Sequence, residues 1–518
     1  MPWAVQPISG AAMTSRLTGK HTAVVCAALG AVVAIIYGVF AWVSWPTLKF
    51  SPDSWSYFEL AQSFSSETYR VWTIRSFWSQ DYSAAFPFGY PVLLHLLHTV
   101  FGVQPALAVV VNLVAAALIP ALLSRLGTQL FGTWLPGLLA GFGVLLYLPF
   151  VDEIFGGRAM PVALVALLAG LILVGGVATG TAGRGAAVAG GFCVGIANLF
   201  RFDLALMLPL VGCLLYFRRS QRVTALAGYA AGGLVALAPW IAYSVAHFGK
   251  IWATDNSWVA LAAVRTYVTS YPAHATQTLW TDPGLWANTR MLGVAPFARV
   301  IASSLARSAP MVAIAGAACL VFVLWARGTA KAALFESPAR IALAIAGIAS
   351  AALVPQIATG YFDARYLTLF FGCWALFLAG FSLQVAAGRA RVAGWFLFAA
   401  VAVSGGVAGA AAAKLTGAIG QARQAEAQMQ SALHTLATCH AKEPEKRYLI
   451  NDADAATRYG AVFHKRASLL PVNFRTLSPG LRAKLEADLA PVRRVDFERL
   501  KLRANGRQDC APDDLPTF

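Results

Sequence analysis

The chain has 518 residues, of which 58% are hydrophobic and only 12% charged. That balance excludes an ordinary soluble enzyme and points to a polytopic membrane protein. The net charge of +17 would suit nucleic-acid binding in a soluble chain. Here the basic residues cluster in short loops and in the C-terminal segment, where the positive-inside rule and anionic headgroups account for them. Membrane lipids are the expected partners, and nucleic acid is not.

A span takes about 20 apolar residues, and loops rich in Lys and Arg face the cytoplasm. Arg16 and Lys20 put the N-terminus inside. The first apolar run, 21 to 45, lacks a small-residue cleavage site and is expected to be a retained span. Its exit places Ser51-Pro52-Asp53 outside, where these residues open a helix. Ser51 can cap, Pro52 suits the first turn, and Asp53 favours the positive end of the helix dipole. The apolar stripe Tyr57, Leu60, Ala61 and Phe64 has helical spacing, with Asp53 on its face one turn earlier.

Residues 46 to 88 form a long, aromatic-rich outer loop suited to the interface. A short re-entrant helix and a full span then cover 91 to 124, and Arg125 marks the inside. A span over 134 to 150 exits at Asp152-Glu153, with Arg158 in the same short loop, and 160 to 178 goes back in. The apolar stretch 186 to 217 is broken at Asn198 to Asp203 and is expected to be two short spans meeting at the outer side. A span over 223 to 247 leads to a second outer loop, 248 to 296. Spans follow at 297 to 325, 340 to 358, 365 to 387 and 392 to 413. The sum is about eleven spans, with the N-terminus cytoplasmic and the C-terminus outside.

From Lys414 the composition turns polar. A helix over 414 to 438, a strand at 448 to 450, a helix over 453 to 463 and a strand at 468 to 470 describe a small α/β domain outside the membrane. The expected architecture is therefore a polytopic α-helical membrane domain, 1 to 413, and an extracytoplasmic α/β domain, 414 to 518. Of the seven cysteines, Cys26, Cys193, Cys213, Cys319 and Cys373 lie in apolar runs as small core residues. Cys439 and Cys510 lie in the polar tail, where an extracytoplasmic setting permits a disulfide between them.

Four charged features stand at the outer boundary: Asp53; Asp152-Glu153 with Arg158; Arg201 and Asp203 inside an apolar run; and Asp363 with Arg365. Charge at membrane depth is expensive unless it pairs or lines a wet cavity. Arg201 and Asp203 also fit a local ion pair joining two half-spans, and Arg365 fits interfacial snorkelling. Together on one side, the carboxylates and arginines suit an anionic, membrane-anchored substrate. Arginine offers bidentate contacts to phosphate, and a carboxylate can act as general base on a hydroxyl. There is no P-loop, H-E-x-x-H or CxxC pair. His95 and His98, one turn apart in an apolar helix, suit packing rather than metal binding.

The order of these features resembles a known superfamily. An acid after the first span is followed by Phe86-Pro87-Phe88-Gly89-Tyr90-Pro91 and by acids after the third span. Further echoes are Gly195 to Arg201, Pro239-Trp240-Ile241-Ala242-Tyr243, Asp363-Ala364-Arg365-Tyr366-Leu367, Leu449 to Asp452, and His464 to Pro471. The chain resembles the GT-C membrane glycosyltransferases, and within them the protein O-mannosyltransferase and aminoarabinose-transferase (ArnT-like) group. Phe88 stands where many members have a second Pro, and the acid near Arg201 is displaced to Asp203.

The resemblance implies a bacterial inner-membrane enzyme that moves a sugar from a polyprenyl-phosphate donor to a glycolipid, polysaccharide or protein acceptor by inverting displacement. It implies Asp53 as catalytic base, with Asp152 or Glu153 across the cavity positioning the acceptor or, in members that use one, ligating a divalent metal. Arg201 and Arg365 would neutralise the donor phosphate, with Arg70 and Arg75 as weaker candidates. Tyr57, Tyr90 and Tyr366 would line the substrate site. A flippase of lipid-linked sugars would need many spans and a few buried charges too, but would keep those charges near the midplane and show repeats. A glycan ligase or polymerase would call for a large outer loop between late spans.

Overall fold

A computed structural model describes residues 19–44, 50, 52–64, 73–74, 86–217, 222–249, 251–252, 337–353, 364–385, 427–442, 447–450, 467–469, 492–495 and 500. The expected spans at 297 to 325 and 392 to 413 lie outside these residues, as do Arg70, Arg75, Asp363 and Cys510.

Helix α1 is Gly19–Ser44 and α2 is Pro52–Ser63, with Asp53 in its first turn. Helix α3, Gly89–Phe101, ends at Gly102, and α4, Ala106–Phe131, follows. These two are the short helix and full span expected over 91 to 124. Helix α5, Leu135–Leu145, is bent 68° from the next, α6, Leu148–Phe155. The bend has a local cause. Pro149 has no N–H to continue the preceding helix, so Tyr147 goes extended and Pro149 sits in a new first turn. Asp152 and Glu153 therefore ride on a helix, not in the short loop expected from the sequence.

Helix α7 is Met160–Thr179, α8 is Arg184–Phe200, α9 is Met207–Gly212 and α10 is Arg222–Phe248. Two more apolar helices follow, α11 at Ser337–Ala351 and α12 at Leu367–Val385. Among the described residues, α4, α7 and most of α10 are long and apolar enough to cross a membrane, and the bent pair α5–α6 makes a fourth if counted as one span. The break expected near residue 200 is present. Arg201 leaves the helix in an extended conformation (φ −150°, ψ 120°), and a 3-10 turn over Phe202–Leu204 starts the return.

The helices meet in two apolar clusters. One joins α4, α5, α7, α11 and α12 through residues such as Ile119, Leu123, Leu167, Leu171 and Ile345. The other joins α2, α3, the end of α8 and α10 through Trp55, Tyr57, Leu60, Tyr90, Leu94 and Trp240. Helices α8 and α10 approach closely because Gly191 sits on the backbone of Tyr229, where a Cβ would overlap its carbonyl oxygen.

Outside the bundle, a helix covers 427–442, here α13, with Leu433, Leu436 and Cys439 fully buried. Four parallel strands form one sheet in the order β1-β3-β2-β4, with β1 at Thr73–Ile74, β2 at Arg447–Ile450, β3 at Ala467–Leu469 and β4 at Val492–Val495. Strands β2 and β3 fall on the two segments expected to be strands. The strand on the far edge of β3 was not expected: Thr73 pairs with Ala467 and Ile74 with Ser468, so the segment between α2 and α3 adds an edge strand to the C-terminal sheet. That ties the loop carrying α2 to the polar tail. Cys439 is disulfide-bonded.

Candidate functional site

The ends of several helices converge where the two apolar clusters meet. The N-terminus of α2 brings Asp53, and α6 brings Glu153. The break after α8 brings Arg201 and Asp203, and a 3-10 turn at Ala364–Tyr366, just ahead of α12, brings Arg365 and Tyr366.

Glu153 is the hub. It is fully buried, and its Oε1 accepts from Arg158 Nη1 at 2.7 Å while its Oε2 accepts from Arg201 Nη1 at 3.2 Å. Arg365 Nη1 stands 3.6 Å from Glu153 Oε1 and 3.5 Å from Asp53 Oδ2, so it bridges the two acids. Arg201 also holds Asp203 with two bonds, Nε to Oδ1 at 2.8 Å and Nη2 to Oδ2 at 3.0 Å. The ion pair expected between Arg201 and Asp203 is therefore present, but it is one arm of a larger network.

Burying a lone carboxylate costs several kcal/mol, and only close, hydrogen-bonded partners offset this. Three guanidiniums around one carboxylate do so. The network also ties four sequence-distant segments together. Tyr366 stands between the two principal arginines, its ring centre 5.6 Å from the Arg201 guanidinium carbon and 5.4 Å from that of Arg365.

Exposure separates the acids. Glu153 is sealed in, Asp152 beside it is exposed, and the Asp53 side chain is 28% exposed. Of the two acids left open at 152 and 153, only Glu153 enters the network just described, and Asp53 is the most exposed acid of that network. The Tyr57 phenol, in the same region, is pushed above its ordinary range by burial, with Arg201 opposing the shift and Asp53 adding to it. It stays neutral and can serve only as a hydrogen-bonding group. Its ring packs on Phe86 and Tyr90, with centres 4.6 Å and 5.2 Å away. Tyr90 is fully buried, and its hydroxyl lies 3.3 Å from the Ala108 carbonyl oxygen and 3.4 Å from Asn112 Oδ1.

A small, partly open cleft adjoins the network. Asp203 and Tyr366 are its polar lining, and Met160, Leu204, Ala349, Ala352, Leu353 and Leu369 are its apolar lining.

His95 and His98 are packing groups, as expected. His95 Nδ1 lies 2.9 Å from the Ala61 carbonyl oxygen, and the His98 ring packs edge-on to Phe58 at 5.1 Å. Among the described residues, no three His, Cys, Asp or Glu side chains are grouped to hold a metal ion. The donor set explains this, since Glu153 is crowded by guanidiniums that would repel a cation. These residues do not fit a divalent metal, and no step is routed through one.

Comparison of the whole chain with known proteins gives a fold. An oligosaccharyltransferase of Archaeoglobus fulgidus, solved in complex with zinc and sulfate, superposes with a TM-score of 0.58 at 12% identity, covering 90% of this chain and 67% of that one. The same enzyme tethered to an acceptor peptide gives 0.58, with 91% and 68% covered. The archaeal oligosaccharyltransferase AglB from that organism, in complex with an inhibitory peptide and a dolichol-phosphate, gives 0.53, with 91% and 69% covered. The fold is of the GT-C type. No family model and no curated protein matches the sequence. At this identity the likeness is one of fold, a GT-C fold being what the order of motifs led us to expect, and the aminoarabinose-transferase and O-mannosyltransferase groups are not among these structures.

The GT-C bundle also holds a residue that sequence analysis passed over. Asn112, fully buried on α4, binds the backbone of the turn that carries Glu153 and Arg158. A lone carboxamide in the middle of a long apolar run was the available signal.

Proposed function

We propose that the protein is a membrane glycosyltransferase that moves a sugar from a polyprenyl-phosphate donor to an acceptor hydroxyl or amide at the outer face of the membrane. The observation that carries this is the network in which Asp53, its most exposed carboxylate, stands beside the Arg365 guanidinium, with Arg201 held on the same buried Glu153. The archaeal structures of the same fold hold an acceptor peptide in one case and a dolichol-phosphate in another. Both ligand classes suit a site built in this way.

In the proposed reaction, the phosphate of the donor meets Arg365 and Arg201. Asp53 takes the proton of the acceptor as the acceptor attacks the anomeric carbon. The bond from that carbon to the phosphate oxygen breaks, and the polyprenyl phosphate leaves with the electron pair, its growing charge neutralised by the two arginines. Arg365 contacts Asp53 at 3.5 Å. A phosphate that draws Arg365 away would free the carboxylate for its role as base. Glu153 stays paired and acts as the anchor of the arginines. Arg70 and Arg75 remain candidate donor contacts from the first outer loop, and Cys510 is the proposed disulfide partner of Cys439.

The test uses the purified chain in lipid and a polyprenyl-phosphate sugar. Asp53→Asn is expected to lower transfer by about a thousandfold or more while the protein still binds polyprenyl phosphate. Arg365→Ala is expected to weaken that binding. Transfer by Asp53→Asn at the wild-type rate would remove Asp53 as the base.

A further inference from the structure

Helix α4 is apolar from Ala106 to Leu123 apart from Asn112, and a carboxamide there costs several kcal/mol unless its polar atoms find partners. Asn112 has partners on both sides. Its Nδ2 donates to the carbonyl oxygens of Arg158 at 2.9 Å, Glu153 at 3.1 Å and Ile154 at 3.4 Å. Its Oδ1 lies 3.4 Å from the hydroxyl of Tyr90, which is itself fully buried on α3.

The carbonyls it binds belong to one structural unit. The last four carbonyls of a helix have no partner within it, and those of Glu153 and Ile154 are in the last turn of α6. Local bonds close the turn: Gly156 N–H to Asp152 O at 2.8 Å, Gly157 N–H to Ile154 O at 3.2 Å and Arg158 N–H to Glu153 O at 3.1 Å. Gly157 takes φ +65°, a left-handed conformation that favours glycine, and the Phe50 ring fills the space that a Cβ would need. Asn112 thus grips, from a neighbouring helix, the backbone of both members of the Glu153–Arg158 ion pair. The Glu153 carboxylate on that turn in turn holds Arg201 and approaches Arg365.

We propose that Asn112 is a positioning residue for the arginine cluster: by fixing the 153–158 turn it sets the Glu153 carboxylate, and through it the two guanidiniums that face the donor phosphate. The last step rests on the function proposed above; the placing of Glu153 does not. Tyr90 completes the device by orienting the carboxamide. In Asn112→Asp the shape is kept, but a carboxylate cannot donate to carbonyls and repels them. In Asn112→Leu the donor is lost while α4 stays suited to lipid, which protects against simple failure to insert.

Two measurements on the full chain in lipid bilayers test this. The first is hydrogen exchange of the amides over 153–158 without ligand, and the second is titration with polyprenyl phosphate, in wild-type and Arg201→Lys backgrounds. Both variants are expected to speed exchange over 153–158 about tenfold, with the peptides of α7 and the rest of α4 unchanged. They are expected to weaken polyprenyl phosphate binding about tenfold in the wild-type background, since small displacements of a positioned group have effects of that size or more. In the Arg201→Lys background the loss should shrink to about twofold or less, because the two changes act through one network.

Unchanged exchange over 153–158 would overturn the proposal. So would an unchanged affinity, or an equal loss in both backgrounds, which is what a merely structural role gives. If exchange responds but the wild-type chain does not bind polyprenyl phosphate, Asn112 keeps its role in placing Glu153 and the donor chemistry proposed above falls.

Discussion

The ionic end of the bundle and its apolar body are stabilised by opposite means. In the body, α7 and its neighbours bury Leu164, Leu167, Leu171 and Val174, and α8 lies on α10 through Gly191. Each contact there is small and replaceable, and the sum comes from close packing. At the ionic end, Asp53, Glu153, Arg158, Arg201, Asp203 and Arg365 form one connected set in which Glu153, Arg201 and Arg365 each hold more than one partner. Such a set adds little stability over a well-packed apolar alternative, and losing one member leaves a buried charge exposed to the full desolvation cost. The difference teaches that the ionic end is the costlier way to close the bundle, a cost that the function proposed above accounts for.

Substitutions in the two regions should separate stability from activity, and the largest effect is expected at the hub. Glu153→Ala should lower stability by about 3–5 kcal/mol and abolish transfer, because three arginines lose their common partner. Leu167→Ala, fully buried in the body, should cost a comparable or somewhat smaller 2–5 kcal/mol, roughly, through the cavity left behind. Yet its transfer activity per folded molecule should stay near that of the wild type. Unfolding in detergent and transfer assays on the folded fraction check both, and equal loss of specific activity in the two variants would break the contrast. The smallest effect is expected next door to the hub. Asp152→Asn, at an exposed position, should change stability by less than about 0.5 kcal/mol and leave transfer intact. A transfer defect there as large as in Glu153→Ala would mean that the exposed acid, not the buried one, serves the substrate.

The body was readable from the sequence because hydropathy depends only on what lines up along the chain. Helices α7 and α10 fall within a residue or two of the runs expected, and the break at Arg201 announced itself as two charges in an apolar stretch. The ionic end was readable in its parts, since Asp53, Arg201 and Arg365 each stood out as a charge at membrane depth. Which of Asp152 and Glu153 belongs to it was not, because adjacent residues on a helix point about 100° apart and only the setting of α6, after the bend at Pro149, chooses between them. Strand β1 was illegible for another reason. Two residues carry no period, and the pairing of Thr73 with Ala467 depends on a partner nearly 400 residues away along the chain. Asn112 left a signal, a single carboxamide in a long apolar run, whose meaning lay in carbonyls that no side-chain pattern records.

The central claim is that the ionic end transfers a sugar from a polyprenyl-phosphate carrier. The most direct measurement is mass spectrometry of lipid-linked sugars and envelope glycans from cells making either the wild-type chain or Asp53→Asn at equal levels. Accumulation of one polyprenyl-phosphate sugar together with loss of that sugar from an envelope acceptor is the expected result, and it would name both substrates. Identical lipid and glycan profiles in the two strains would contradict the claim.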